Sequence, residues 1–419
     1  MSQGTVTSAD AEARARSAGL PVVDFDPECD PVFKDDPLGT IRAAQQIGDI
    51  FYSTAARGFW VVSRHDLCRE ISQDPAGYSN RETFTFYRNP PPVFQSPANL
   101  DPPDHAKIRR LIAPLLSPAA VRRLEPRARA SVAAIADEVA ERGACDFMAD
   151  VALRIPAEVF LEQMGLPLSR TDEIIATRLL PGKLNASNDP DGTLLAAAVS
   201  EVRSMFEEVV AERRRRPADD VPSYLLSQTV DGRPLSDEEV LQLCHTLLGT
   251  SLGTTASTMA FLFQWLAGQP EMRQRVRDTP EMVRGLVDEA VRHFPAIPMV
   301  SRTVRADREV HGVPWKEGDR LLLLLAAANA DPEVFPAPAQ VDPDRHPPRH
   351  LGFGGGGPHR CAGALLAHME LRVLVEEWHR RIADYHLGDL SDLTHEVSVA
   401  IRMTSLPLVV GTADVSSAR

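Results

Sequence analysis

His350-Leu351-Gly352-Phe353-Gly354-Gly355-Gly356-Gly357-Pro358-His359-Arg360-Cys361-Ala362-Gly363, near the C-terminus, is the stretch whose reading decides the fold. Five glycines stand before one cysteine, and an apolar helical pattern begins directly behind it, with Leu365, Leu366, Met369, Val373, Leu374 and Trp378. Glycine permits turns and close backbone approaches that a Cβ forbids. A cysteine at a helix N-terminus faces free N–H groups and the positive end of the helix dipole, and both stabilise its thiolate. The combination predicts a backbone cradle around an anionic sulfur whose natural task is to hold a metal.

Thiolate-ligated haem iron is one form such a site takes. Two other readings compete. Gly352-Phe353-Gly354-Gly355-Gly356-Gly357 also has the spacing G-x-G-x-x-G of a dinucleotide loop, with Glu376 and Glu377 about twenty residues on. That motif requires a buried strand before it. Asp342-Pro343-Asp344-Arg345-His346-Pro347-Pro348-Arg349 stands there instead, and its prolines exclude a central strand. The plain reading, a glycine-rich turn beside an idle cysteine, suits the stretch only when it is taken alone.

The chain has 419 residues, ordinary apolar content and a formal charge of −13. That charge argues against nucleic acid as a partner and does not suggest a membrane surface. Cys29, Cys68, Cys145, Cys244 and Cys361 are odd in number, scattered and without a C-x-x-C pair, which suits a reducing cytoplasm rather than a disulfide framework. Residues 1–20 are polar and alanine-rich and read as a loose tail without a signal peptide. No apolar run is long enough to span a bilayer. No repeat or linker divides residues 21–419, which read as one domain.

Phe59-Trp60-Val61-Val62 predicts a strand, and Ser63 an N-cap for a helix running toward Ile71. From Phe84 to Asn99 the chain is aromatic, proline-rich and aperiodic, as a loop folded over a pocket would be. Asp101-Pro102-Pro103-Asp104 opens a helix, with proline in its first turn and carboxylates near its positive end. His105 and Arg109 share one face of it. Val121 to Gly165 is mostly helical in pattern. Residues 171–180 and 193–215 predict two more helices joined by a turn-rich link, the second ending in a solvated arginine run, Arg213 to Arg216.

Ser236-Asp237-Glu238-Glu239 is a capping box. The helix it opens runs to about Gly268, roughly 50 Å. It is apolar almost all round, so it crosses the middle of a protein. At its centre stand Thr250, Ser251, Gly253, Thr254, Thr255, Ser257 and Thr258, a hydroxyl cluster that bonding back to helix carbonyls explains only in part. Glu281 to His293 predicts a helix carrying Glu289 and Arg292, an i, i+3 pair. Residues 294–325 predict short strands, Asn329 to Pro348 a long loop, and Tyr385 to Val410 β-hairpins.

Together these features resemble the cytochrome P450 family in its soluble bacterial form, from about residue 25 to 410. Gly357, His359, Cys361 and Gly363 resemble the haem-thiolate signature, Glu289 and Arg292 the E-x-x-R pair, Arg345 the third member of a buried Glu-Arg-Arg cluster, and Asp101 to Arg110 the family's C helix. The resemblance implies a mainly α fold with smaller β-sheets and haem b (iron protoporphyrin IX) between the long central helix and the helix behind the cysteine. It makes Cys361 the axial iron ligand. It makes His105, Arg109, Arg302 and His359 propionate partners, with His350 a further candidate and Phe353, Gly354 and Gly363 beside the haem. Charged donors clamping two carboxylates is sound chemistry. It also makes Glu289, Arg292 and Arg345 buried structural residues rather than a surface pair.

Two departures from the family pattern stand out. Gly253 replaces the acid that usually precedes the family's threonine, here Thr254, so proton supply falls to Thr254 with Ser251, Thr250 or Thr255 and waters. Phe353 lies one residue further from Cys361 than is usual. The implied activity is monooxygenation of a small to medium apolar organic substrate with O2 and electrons from a separate ferredoxin and ferredoxin reductase, by a cytoplasmic monomer. Arg110 and Arg360 are candidate ferredoxin contacts. Gly253 leaves room for peroxide-driven oxidation, and a haem sensor is a non-enzymatic alternative. By position, pocket candidates are Phe84, Phe86, Phe94, Leu179, Leu180, Leu247, Ser251, Ile297, Met299 and Ile401.

Overall fold

The computed structural model describes residues 8–27, 29–81, 96–176, 193–346, 349–397 and 400–411. The chain is mainly helical with small sheets. It divides into two compact units, each drawn from separate stretches of sequence. The first is Met1–Arg109, Asp288–Ala362 and His395–Ile401, and the second is Arg110–Val287, Gly363–Thr394 and Arg402–Arg419.

A six-stranded sheet organises the first unit, in the order Val22–Val23, Ile50–Ser53, Phe59–Val62, Arg320–Leu323, Val300–Val304, Tyr78–Ser79. Its central pair is parallel, with Trp60 opposite Leu321. Phe59–Val62 and Leu321–Leu323 are buried on both faces, which is why they read as unbroken apolar runs rather than alternating ones. Arg302 enters this sheet opposite Leu321 in antiparallel register.

Two expectations are corrected here. From Ser8 to Ser17 the supposed loose tail is a helix. Its Ala11 and Ala15 lie in the cluster of Tyr52, Trp60 and Trp315, and Arg14 grips Asp319 through two 2.7 Å bonds. Small side chains let it pack closely without any apolar stripe. Ser63 does not cap the helix His65–Gln73; its hydroxyl donates to the Gly48 carbonyl at 2.8 Å, and Arg64 holds the cap position.

The second unit is helical, with Pro118–Arg142, Arg154–Met164, Thr193–Arg215, Asp237–Ala267 and Ala364–Arg381 the main elements. The capping box forms as expected, Ser236 and Glu239 each bonding the other's backbone. Phe147, Phe263, Trp378 and Tyr385 pack together, Phe147 stacking on Phe263 at 4.3 Å between ring centres. The strand Pro407–Val410 is not simply one arm of a terminal hairpin. It lies between Tyr385–Leu387 and Ala144–Asp146, so residues 121–165 include a strand as well as helices. The arginine run is partly engaged: Arg213 pairs with Asp220, and Arg214 with Asp237 at 2.6 Å. Among the described residues no helix is long and apolar enough to cross a membrane.

Candidate active site

In the first unit the glycine stretch folds back on itself. The Cys361 N–H donates to the Phe353 carbonyl at 2.9 Å, and the Gly354 N–H to the Leu351 carbonyl at 2.8 Å. Two of its glycines, Gly355 and Gly357, are demanded by a neighbouring helix. A Cβ on Gly355 would stand 2.5 Å from the Ser72 hydroxyl, and one on Gly357, at φ +70°, 2.7 Å from the Ser72 carbonyl. The helix His65–Gln73 therefore seats the loop. Cys361 ends it as an exposed thiol, whereas Cys68, Cys145 and Cys244 are buried and none of the five forms a disulfide. Burial raises the three buried thiols well above the ordinary range, Cys145 and Cys244 to about 12. Only a cysteine outside the core keeps ready access to a thiolate.

Beside this sulfur lies a group of positive and potentially positive side chains. The helix Asp104–Ile112 presents His105, 3% exposed, and Arg109, which feels the charge of Cys361 and donates to the Arg360 carbonyl at 2.7 Å. The His105 and His359 rings are 4.3 Å apart. Burial, then repulsion from His105 and Arg302, lowers His359 to about 3, and burial, then Arg109, lowers His105. Both imidazoles are thus neutral N–H donors near pH 7. Burial depresses Arg302 to about 10, which still leaves it charged. Its one hydrogen bond among the described residues goes to the adjacent Ser301 carbonyl, 2.6 Å away. A buried guanidinium without a bonded carboxylate invites a negative ligand. His350 is turned to its own loop: its Nδ1 accepts the Gly352 N–H at 3.2 Å, and its ring lies 5.9 Å from that of Phe353.

Glu289, Arg292 and Arg345 come together in the same unit. Arg292 makes a two-pronged pair with Glu289 at 2.7 and 2.9 Å, and Arg345 reaches Glu289 at 3.1 Å. Arg292 also donates to the carbonyls of Asn329, Pro338 and Gln340. These bonds fix the long 329–345 loop, which has no regular structure of its own to hold it.

The sequence model of the cytochrome P450 family matches residues 178–282 and 281–378. A probable cytochrome P450 127A1 of Sinorhizobium fredii is 31% identical over 383 residues, covering 87% of this chain and 88% of its own. The chain belongs to the cytochrome P450 family. Cytochrome P450-terp of a Pseudomonas species is 32% identical over 346 residues, covering 76% of this chain and 80% of its own. The crystal structure of cytochrome P450 CYP101C1 superposes with a TM-score of 0.83 at 29% identity, over 94% of this chain and 99% of that one. As a P450, the protein is an oxidoreductase of the monooxygenase type that works with haem iron and O2. Its residues fit that cofactor: an exposed sulfur donor stands beside two guanidinium cations and two neutral imidazoles, a set suited to two propionates.

In the second unit, the long helix resolves the hydroxyl cluster. Thr250 donates to the Thr246 carbonyl at 2.9 Å, Thr254 to Thr250 at 2.9 Å, Ser251 to Leu248 at 3.4 Å and Ser257 to Gly253 at 2.8 Å. Back-bonding therefore accounts for these four. Thr255, 6% exposed, is different, for it acts on the carboxyl of Glu370, 2% exposed, on the helix Ala364–Arg381. Burial raises Glu370 to about 8 against the modest opposition of Thr255, and no cation contributes. Glu377, seven residues on, is also buried but is held ionised by Arg381 and Arg129 despite its burial. Glu370 is not among the residues the sequence motifs single out. The signal was a carboxylate in an apolar stripe, between Leu366 and Val373–Leu374.

Folded Glu370 keeps its proton to about pH 8, while an ordinary glutamate loses it near 4.5. Its contribution to stability is therefore complete below about pH 4.5 and is lost as the pH rises toward 8. Relative to Glu370→Gln, the native protein is expected to lose about 1.4 kcal/mol per pH unit across that window, read from urea midpoints. A difference that does not change with pH would refute the neutral carboxyl.

Of the pocket candidates, Met299 and Ile401 are buried and Ile297 and Leu247 half-buried. The Ile401 N–H donates to the Ala296 carbonyl at 2.9 Å, which brings Ile401 beside Ile297. Ile401 is 0% exposed. Phe84, Phe86, Phe94, Leu179 and Leu180 lie outside the described residues.

Proposed function

We propose that this P450 transfers one oxygen atom of O2 to a small or medium-sized apolar substrate, by hydroxylation, epoxidation or O-dealkylation. The observation that carries this reading is the exposed Cys361 thiol whose charge the half-buried Arg109 feels, in the same unit as the buried guanidinium of Arg302. Cys361 Sγ would hold the iron of haem b, and His105, Arg109, Arg302 and His359 would donate to its propionates. When bound, the haem supplies oxygen activation, with the thiolate's electron donation favouring O–O cleavage.

The chain's own residues then manage protons and electrons. Gly253 offers no acid. Thr254 keeps a hydroxyl, bonded back to the Thr250 carbonyl, and burial keeps Glu370 in its protonated form. Apolar side chains such as Ile297 and Met299 would hold substrate and exclude water. Arg110 and Arg360 are exposed, and such cations attract an acidic ferredoxin, itself reduced by a ferredoxin reductase from NAD(P)H. Monomeric action in the cytoplasm suits this supply.

Gly253 favours a second reading, oxidation driven by peroxide. The two separate in one experiment with labelled oxygen. With ferredoxin, reductase, NAD(P)H and 18O2, product is expected to carry one 18O atom. Product formed with peroxide alone, and none with the electron chain, would establish the second reading and overturn the first.

A further inference from the structure

Among the described residues, one acid stands inside the cationic cluster. Asp101 is 4% exposed and stands three residues before the helix that carries His105 and Arg109. As a carboxylate near a helix start it looks like a cap, but its side chain does other work. Oδ2 accepts the Ser79 hydroxyl at 2.6 Å and Oδ1 the Asn80 N–H at 2.8 Å. Ser79 in turn pairs with Thr303, the neighbour of Arg302. Asp101 thus ties the helix bearing His105 to the sheet edge bearing Arg302. Two cationic partners among the described residues, Arg305 at 3.2 Å and Arg81 at 3.6 Å, have side chains 42% and 65% exposed. Water screens them, so they neutralise the buried carboxylate only weakly. Through space, Asp101 opposes the loss of positive charge at Arg302.

We propose that Asp101 is a positioning residue whose carboxylate, among the propionate-binding side chains, holds the haem iron toward its ferric state. This rests on the haem reading given above. Reduction adds one electron to the site. A buried anion nearby opposes that electron across a medium far less screening than water. The same charge holds the guanidinium and imidazole donors in place before the propionates arrive, so it tunes the site without touching the iron.

The test is a spectroelectrochemical titration of substrate-free holoenzyme. Asp101→Asn removes the charge, and its ferric–ferrous equilibrium is expected to move about tenfold toward ferrous, which is 59 mV for one electron. Asp101→Glu disturbs the Ser79 and Asn80 bonds but keeps the charge, and should stay within about threefold of the native equilibrium. Ser79→Ala strips the 2.6 Å donor and leaves the carboxylate less compensated, so it should move the equilibrium toward ferric. Equal shifts in Asp101→Asn and Asp101→Glu would mean a structural role and overturn the proposal. So would an unchanged equilibrium in Asp101→Asn or, if that protein does not accumulate, in Ser79→Ala. A native protein that binds no haem at all would instead contradict the haem reading.

Discussion

Glu289→Ala is expected to destabilise the protein by about 3–5 kcal/mol, among the largest effects any single substitution here should have. The carboxylate accepts two bonds from Arg292 and one from the Asp342 N–H at 2.9 Å, and it pairs with Arg345. Burial alone would favour its neutral form, but the bonds from Arg292 and Asp342 together hold it below the ordinary carboxylate range. Truncation leaves Arg292, 2% exposed, charged and without its counter-ion. It also frees the loop that Arg292 anchors through three carbonyls, so the loss spreads along 329–345. Urea unfolding should show a midpoint lowered in proportion. A loss below about 1 kcal/mol would place the pair among ordinary surface ion pairs.

Cys361→Ser is expected to abolish monooxygenase turnover while leaving the fold intact. Cys361 is exposed and its side chain fills no core position, so the loss of sulfur removes little packing. A serine hydroxyl does not ionise near pH 7 and gives a harder, weaker donor. The propionate partners would still bind, so haem should be retained loosely rather than lost at once. Far-UV circular dichroism should match the native protein, and product formation should fall to background. Turnover within about tenfold of native would show that the sulfur is not the donor on which the electron push depends.

Much of the site could be read from the sequence because its determinants are short and local. The strand Phe59–Val62, the capping box at Ser236 and the pair Glu289–Arg292 each carry their signal within four residues, and each forms. The helix Ser8–Ser17 was hidden for the opposite reason. It docks by two alanines and one arginine, which leave no periodic apolar mark. Ser63 had the chemistry of a cap, but the Gly48 carbonyl, distant in sequence, takes its hydroxyl. The glycine stretch drew attention as a ligand cradle, whereas Gly355 and Gly357 answer to Ser72 on another helix. Asp101 and Glu370 show the same limit. A cap-like carboxylate and one acid in an apolar stripe take their meaning from Ser79, Asn80 and Thr255, partners that only the fold brings near.

Whether Cys361 supplies the thiolate to haem iron is read most directly from the absorbance of the dithionite-reduced protein under carbon monoxide, for the native chain and for Cys361→Ser. The native protein should show the fully red-shifted band of thiolate ligation, and Cys361→Ser should lose it. A native chain without that band, or Cys361→Ser retaining it, would contradict the account.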